Sequence, residues 1–111
     1  MTKETMALVT QFRDDRNWRQ FHNPKDLAIS LNLEAAELLE VFQWSGTDLE
    51  CREKMDKIEE ELADVLSYCI LLADVCGLDL DEILRKKVAK NAEKYPVDKA
   101  YGNKAKYTEL V

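Results

Sequence analysis

Four carboxylates occupy positions where a buried helix ordinarily carries leucine. They are Glu34 and Glu37 in Leu33-Glu34-Ala35-Ala36-Glu37-Leu38, and Glu61 and Asp64 in Glu61-Leu62-Ala63-Asp64-Val65. Each pair is spaced i, i+3, which sets its two carboxylates about 60° apart on one helix face. Leu27, Leu31, Leu38 and Val41 mark an apolar stripe; at ~100° per residue Glu34 falls in its middle and Glu37 at its edge. Ile58, Val65, Leu72 and Cys76 mark a second stripe, with Glu61 inside it and Asp64 beside it. Anions near a core are costly unless something cationic neutralises them. An all-oxygen ligand set suits Mg²⁺ or Mn²⁺. Such a cation keeps positions open for water and substrate phosphates, which is the arrangement of metal-assisted in-line attack on a polyphosphate. An isolated Glu-x-x-Glu is more often a solvated helix face, and it is the displacement of both pairs onto apolar stripes that points to a site.

Other chemistries lack their residues. A di-iron bundle needs Glu-x-x-His on two helices. The single histidine, His22, lies outside both acidic pairs. No serine, cysteine or zinc hydrolase motif and no Gly-rich phosphate loop is present.

The elements that must position the acids read as four helices and a tail. The first is expected over about 2–17, with Met6, Val9, Phe12 and Arg13 near one face, followed by a loop from Trp18 to Asn23. Asn23-Pro24 is a helix-start signal, Asn capping and Pro in the first turn. The second helix is expected to run to about Trp44 and stop near Gly46. The third spans roughly Glu53 to Cys76 and ends at Gly77; Asp79 to Glu82 resembles a capping box opening the fourth. That helix continues to about Lys94 and is ended by Tyr95-Pro96. Residues 97–111 are polar, without helical periodicity, and read as a C-terminal tail. Nothing reads as a strand, so the expectation is an all-α fold, residues 1–111 as one domain, with the second and third helices antiparallel and the acids meeting across them. Two broad apolar faces on so short a chain also predict self-association.

Composition agrees. The chain has 111 residues, 46% hydrophobic and 34% charged, with three Gly and two Pro, values that suit a helical domain with its own core. A net charge of −6 disfavours binding to a nucleic acid polymer, while a bound cation can still reverse the local field for a small anionic ligand. Three cysteines without metal-site spacing suit a reducing compartment, with Cys69 and Cys76 read as core thiols. No apolar segment follows Met1-Thr2-Lys3-Glu4, and no run of ~18 apolar residues offers a membrane span. A cytoplasmic location is expected, with no membrane partner.

The spacing Glu34-x-x-Glu37, twenty-three residues, Glu61-x-x-Asp64 resembles the signature of the MazG-like nucleoside triphosphate pyrophosphohydrolases. Phe12-Arg13, Trp18 through Asn23-Pro24, Leu38 to Trp44, Lys87-x-x-x-Asn91-x-x-Lys94-Tyr95-Pro96 and Lys106-Tyr107-Thr108 extend the resemblance to the dCTP-pyrophosphatase branch over nearly the whole chain. The resemblance implies a four-helix MazG-like bundle, assembled as a dimer or a dimer of dimers. It implies Mg²⁺-dependent hydrolysis of a (deoxy)nucleoside triphosphate, dCTP or a modified dCTP, to the monophosphate and pyrophosphate. Glu34, Glu37, Glu61 and Asp64 match its metal-binding and catalytic acids. His22 and Trp44 match base-holding positions. Trp18 and Phe21 read as packing residues, with Trp18 a second candidate for the base pocket. Tyr68, Lys87 and Asn91 match positions near sugar and phosphates. Lys94 stands where relatives often carry Arg before Tyr-Pro. The alternative is a non-enzymatic helical dimerisation or regulatory module, which would use the same apolar faces and leave the acids solvated and divergent.

Overall fold

A computed structural model describes residues 1–110 and is helical throughout, with no strand among them. Five α-helices follow in order: α1 Lys3–Asp15, α2 Pro24–Glu40, α3 Met55–Cys76, α4 Leu80–Lys94 and α5 Val97–Ala100. Short 3₁₀ turns cover Arg19–Phe21, Arg52–Lys54 and Tyr107–Glu109. The all-α expectation stands. The C-terminal tail carries α5 and the last 3₁₀ turn.

The described residues divide into two units, one of residues 1–78 and one that begins at Asp79. In the first, α2 lies along α3 and α1 packs on α3. The capping chemistry legible in the sequence is in place. The Asn23 side chain accepts from the Asp26 N–H at 2.9 Å, with Pro24 in the first turn. Gly77 ends α3 in the left-handed conformation at φ 66°, where glycine carries no Cβ penalty. In the second unit, the Asp79 side chain accepts from the Glu82 N–H at 3.1 Å to open α4. There Tyr107 packs edge-on against Tyr95 and under the Lys94 ammonium, which sits 4.9 Å from its ring centre.

Helix α2 ends four residues before the expected Trp44. After Glu40 the backbone bonds shorten to i→i−3 at Val41, Phe42 and Gln43, the usual tightening of a helix end. The Val41 carbonyl, freed from the ladder, instead receives the Lys54 Nζ at 3.4 Å and the Cys51 thiol at 3.9 Å. Asp48 accepts from the backbone of Glu50 and Cys51, which holds Cys51 in the left-handed region at φ 47°. The end of α2 therefore meets the start of α3, and the two helices run antiparallel. Cys51 is the buried thiol of the chain, whereas Cys69 is half-buried and Cys76, expected in the core, is exposed at the end of α3. The second stripe thus fades before its predicted last member.

Arg13 is 4% exposed and ties α1 to α3. Its guanidinium donates to Asp74 at 2.6 Å and to Asp14 at 2.8 Å. Removing one partner of a buried ion pair leaves the others uncompensated. Because both aspartates are part-exposed, Arg13→Ala is expected to cost about 2 kcal/mol in chemical denaturation, and a loss of a few tenths would contradict the clasp.

Candidate functional site

The antiparallel course of α2 and α3 brings all four acids together. One carboxylate oxygen from each of Glu34, Glu37, Glu61 and Asp64 lies within 4.8 Å of the other three. Their burial follows the stripe argument. Glu61, inside its stripe, is 4% exposed; Glu34 is half-buried; Glu37 and Asp64, on the edges, are exposed. Glu61 Oε2 and Glu34 Oε2 are buried without any hydrogen-bond partner. Buried carboxylate oxygens are ordinarily satisfied, so two orphans in one cluster fit ligands of a cation. The donor set is all oxygen, as Mg²⁺ and Mn²⁺ prefer.

The electrostatics point the same way. A side-chain hydrogen bond shared with Glu61, and then the like charge of Glu34, raise the Glu37 carboxyl above its ordinary value of 4.5, as carboxylates sharing a site and a proton do. Glu61 itself is pushed down, first by Lys57, whose Nζ stands 2.8 Å from Oε1. A raised carboxyl means that the folded chain keeps a proton the unfolded chain has lost, so its stability falls as pH climbs from about that ordinary value through the raised one. In metal-free buffer, Glu37→Gln is therefore expected to match the parent's melting temperature in acid and to exceed it as pH rises towards neutral. A gap independent of pH would contradict the shared proton.

A cavity of about 380 Å³ opens beside the cluster and shares Asp64 with it. Its wall includes Phe12, Arg13, Trp18, His22 and Tyr68, contributed by α1, the following turn and α3. Asn17 makes this wall: its left-handed φ of 54° reverses the chain after α1, and Trp18 N–H then donates to the Arg13 carbonyl at 3.1 Å. The Trp18 ring is thereby brought edge-on to Phe12, centroids 5.8 Å apart. The Arg16 guanidinium lies 3.6 Å over the Phe12 ring. The His22 Nδ1 is buried without a partner. Burial, and then the charges of Arg13 and Arg19, lower its pKa, which keeps the imidazole neutral near pH 7. The lining has more apolar than polar surface, suited to an aromatic ring with a few polar edges.

Of the residues singled out in the sequence, the structure joins Glu34, Glu37, Glu61 and Asp64 at the cluster and His22 and Tyr68 in the adjoining cavity. Trp44 is 87% exposed in the turn after α2 and is not among the cavity's lining residues. Lys87 and Asn91 are exposed one turn apart on α4, in the other unit. Phe12 and Arg13 were placed by periodicity on one face of α1, but their part in a cavity was not legible, and Trp18 takes a larger share of the wall than its place in a loop suggested. The sequence signal for it was Asn17, a residue type that tolerates the left-handed turn.

A profile of the MazG-like family matches residues 29–110, which include all four acids. The chain is similar to dCTP pyrophosphatase 1 of Mus musculus, 37% identical over 113 residues that make up 97% of this chain and 66% of that protein. It is similar to dCTP pyrophosphatase 1 of Homo sapiens at 40% identity over 115 residues, again 97% of this chain and 66% of the other. Among solved structures it resembles a pyrophosphatase from Archaeoglobus fulgidus, with a TM-score of 0.78 and 43% identity, covering 85% of this chain and 91% of that one. The chain thus spans just under two thirds of the length of the mouse and human relatives.

Proposed function

This chain belongs to the MazG-like family, and from that premise we propose that it hydrolyses a (deoxy)nucleoside triphosphate, dCTP or a modified dCTP, to the monophosphate and pyrophosphate with Mg²⁺ or Mn²⁺. The observation that carries the reading is the convergence of four carboxylates, two with orphaned buried oxygens, beside an aromatic-walled cavity that shares Asp64 with them. The names of the relatives, dCTP pyrophosphatase 1 and a pyrophosphatase, support the reaction class.

Glu34, Glu37, Glu61 and Asp64 would hold the cation, which when bound supplies charge neutralisation and polarisation of the phosphate oxygens. The residues of the chain do the rest. Phe12 and Trp18 offer ring faces and edges to a base, a contact that aromatic side chains make with little sequence preference. Neutral His22, through its unpartnered Nδ1, and Tyr68 provide polar edges to orient the base and sugar. With the base in the cavity, the phosphates extend past Asp64 towards the cluster. Water attacks the α-phosphorus; one P–O bond forms to the water oxygen and the bridging bond to the β-phosphate breaks. Pyrophosphate leaves with the bridging oxygen, and the water proton passes to a carboxylate of the cluster. Lys87 and Asn91, and Trp44 at the base, are assigned to the substrate by resemblance alone.

Self-association as a dimer or tetramer is part of the same proposal. Ile29 and Leu33 on α2, and Leu62 and Leu66 on α3, are each a helical turn apart and between 42 and 59% exposed. Apolar pairs of this kind on two long helices favour burial against another copy. A cytoplasmic location is proposed on the free thiols; no helix among the described residues is long and apolar enough to cross a membrane. The module alternative calls for solvated, divergent acids, and their convergence favours the enzyme. Pyrophosphate release assayed across canonical and 5-modified nucleotides tests the reading: turnover with Mg²⁺, lost on chelation, is expected, and none with any nucleotide would refute it.

A further inference from the structure

The two oxygens of Glu61 are treated differently. Oε1 accepts a hydrogen bond from Lys57 Nζ at 2.8 Å. Oε2, on the same 6% exposed side chain, has no partner. Lys57 sits one turn before Glu61 on α3, the spacing at which helical side chains meet. Its ammonium also approaches Glu60 at 3.8 Å, but Glu60 is exposed and the contact is long. Among the described residues no Lys or Arg pairs with Glu34, Glu37 or Asp64. Among the described residues, Glu61 is therefore the one acid of the cluster with an oxygen held by a cationic side chain.

That engagement matters differently to different cations. Ca²⁺ takes six to eight oxygens at longer range and commonly binds carboxylates through both oxygens. Mg²⁺ takes six at short range and binds carboxylates through one, completing its shell with water and phosphate. We propose that Lys57 sets the cation selectivity of the cluster: by holding Glu61 Oε1 it limits Glu61 to a single coordinating oxygen, and so weights the site towards Mg²⁺ and Mn²⁺ against Ca²⁺. This inference rests on the cation-binding reading above. Lys57 is a positioning residue here, acting through Glu61. A plain counterion role would weaken all divalent cations alike, because it depends on charge and not on which oxygen is occupied. Selectivity separates the two.

The test uses the full chain and the metals alone, without nucleotide. Mn²⁺ affinity is read by electron paramagnetic resonance, and Ca²⁺ affinity by competition against it. Lys57→Met removes both charge and donor from a side chain that is 58% exposed. It is expected to tighten both cations, and to raise the Ca²⁺-to-Mn²⁺ affinity ratio roughly fivefold as Glu61 becomes free to chelate. Lys57→Arg, still a donor, is expected to keep the parent ratio. Lys57→Gln, a neutral donor, separates charge from hydrogen bond: both cations tighten while the ratio stays near the parent's. An unchanged ratio in Lys57→Met overturns the inference while leaving the cation site intact. Absence of Mn²⁺ binding to the parent protein overturns the reading beneath it.

Discussion

Replacing Glu61 by Gln is expected to lower the turnover number roughly a thousandfold while leaving the protein folded. The size of the effect follows from where Glu61 sits. It is the most buried member of the cluster, and its Oε2 faces no other donor. An amide there keeps the volume but withdraws one full negative charge from the cation. The fold survives because the change also relieves repulsion: Glu37 no longer faces a carboxylate at this position, which offsets loss of the Lys57 pair. The metal-free melting temperature of the variant should therefore lie near the parent's, while the rise in melting temperature on adding Mg²⁺ shrinks. Asp64→Asn, at an exposed member of the cluster, should show the same split. Circular dichroism melts beside steady-state kinetics check both halves. Full activity in a folded Glu61→Gln protein would remove the cluster from the chemistry.

The second large effect is expected at Trp18. Its indole is part of the aromatic wall, fixed against Phe12, and base-on-aromatic contact is worth ~1–3 kcal/mol per base. Trp18→Ala should raise KM about tenfold to a hundredfold and change kcat much less, because the reacting phosphorus lies at the cluster and not at the ring. Trp18→Phe, which keeps a ring face, should recover most of the loss. Nucleotide titrations with product quantification check this. A fall confined to kcat would mean that the ring serves the chemistry instead of the base.

The cluster was legible in the sequence because helix periodicity is local. Four acids at i, i+3 spacing on two apolar stripes already specified which faces had to meet, and the burial of Glu61 and the exposure of Glu37 and Asp64 follow that register. The helix starts at Asn23 and Asp79 and the end at Gly77 were legible for the same reason: each depends on one or two side chains. The end of α2 was not. Its early close depends on Val41 receiving Lys54 and Cys51 from beyond the connection, contacts ten and thirteen residues away in sequence. The cavity wall was less legible still. Phe12, Trp18 and Tyr68 meet only because α1 is clasped to α3 through Arg13 and Asp74, sixty-one residues apart, and because Asn17 turns the chain back. Periodicity placed Arg13 on an apolar face but gave no sign of its partner.

On the proposed function, the clustered acids direct water to the α-phosphorus of a nucleoside triphosphate. This is tested most directly by ³¹P NMR of dCTP turnover in ¹⁸O-enriched water with Mg²⁺. Two products are expected, deoxycytidine monophosphate and pyrophosphate, with the heavy oxygen on the monophosphate. Release of orthophosphate and a diphosphate, or label appearing in the pyrophosphate, would contradict it.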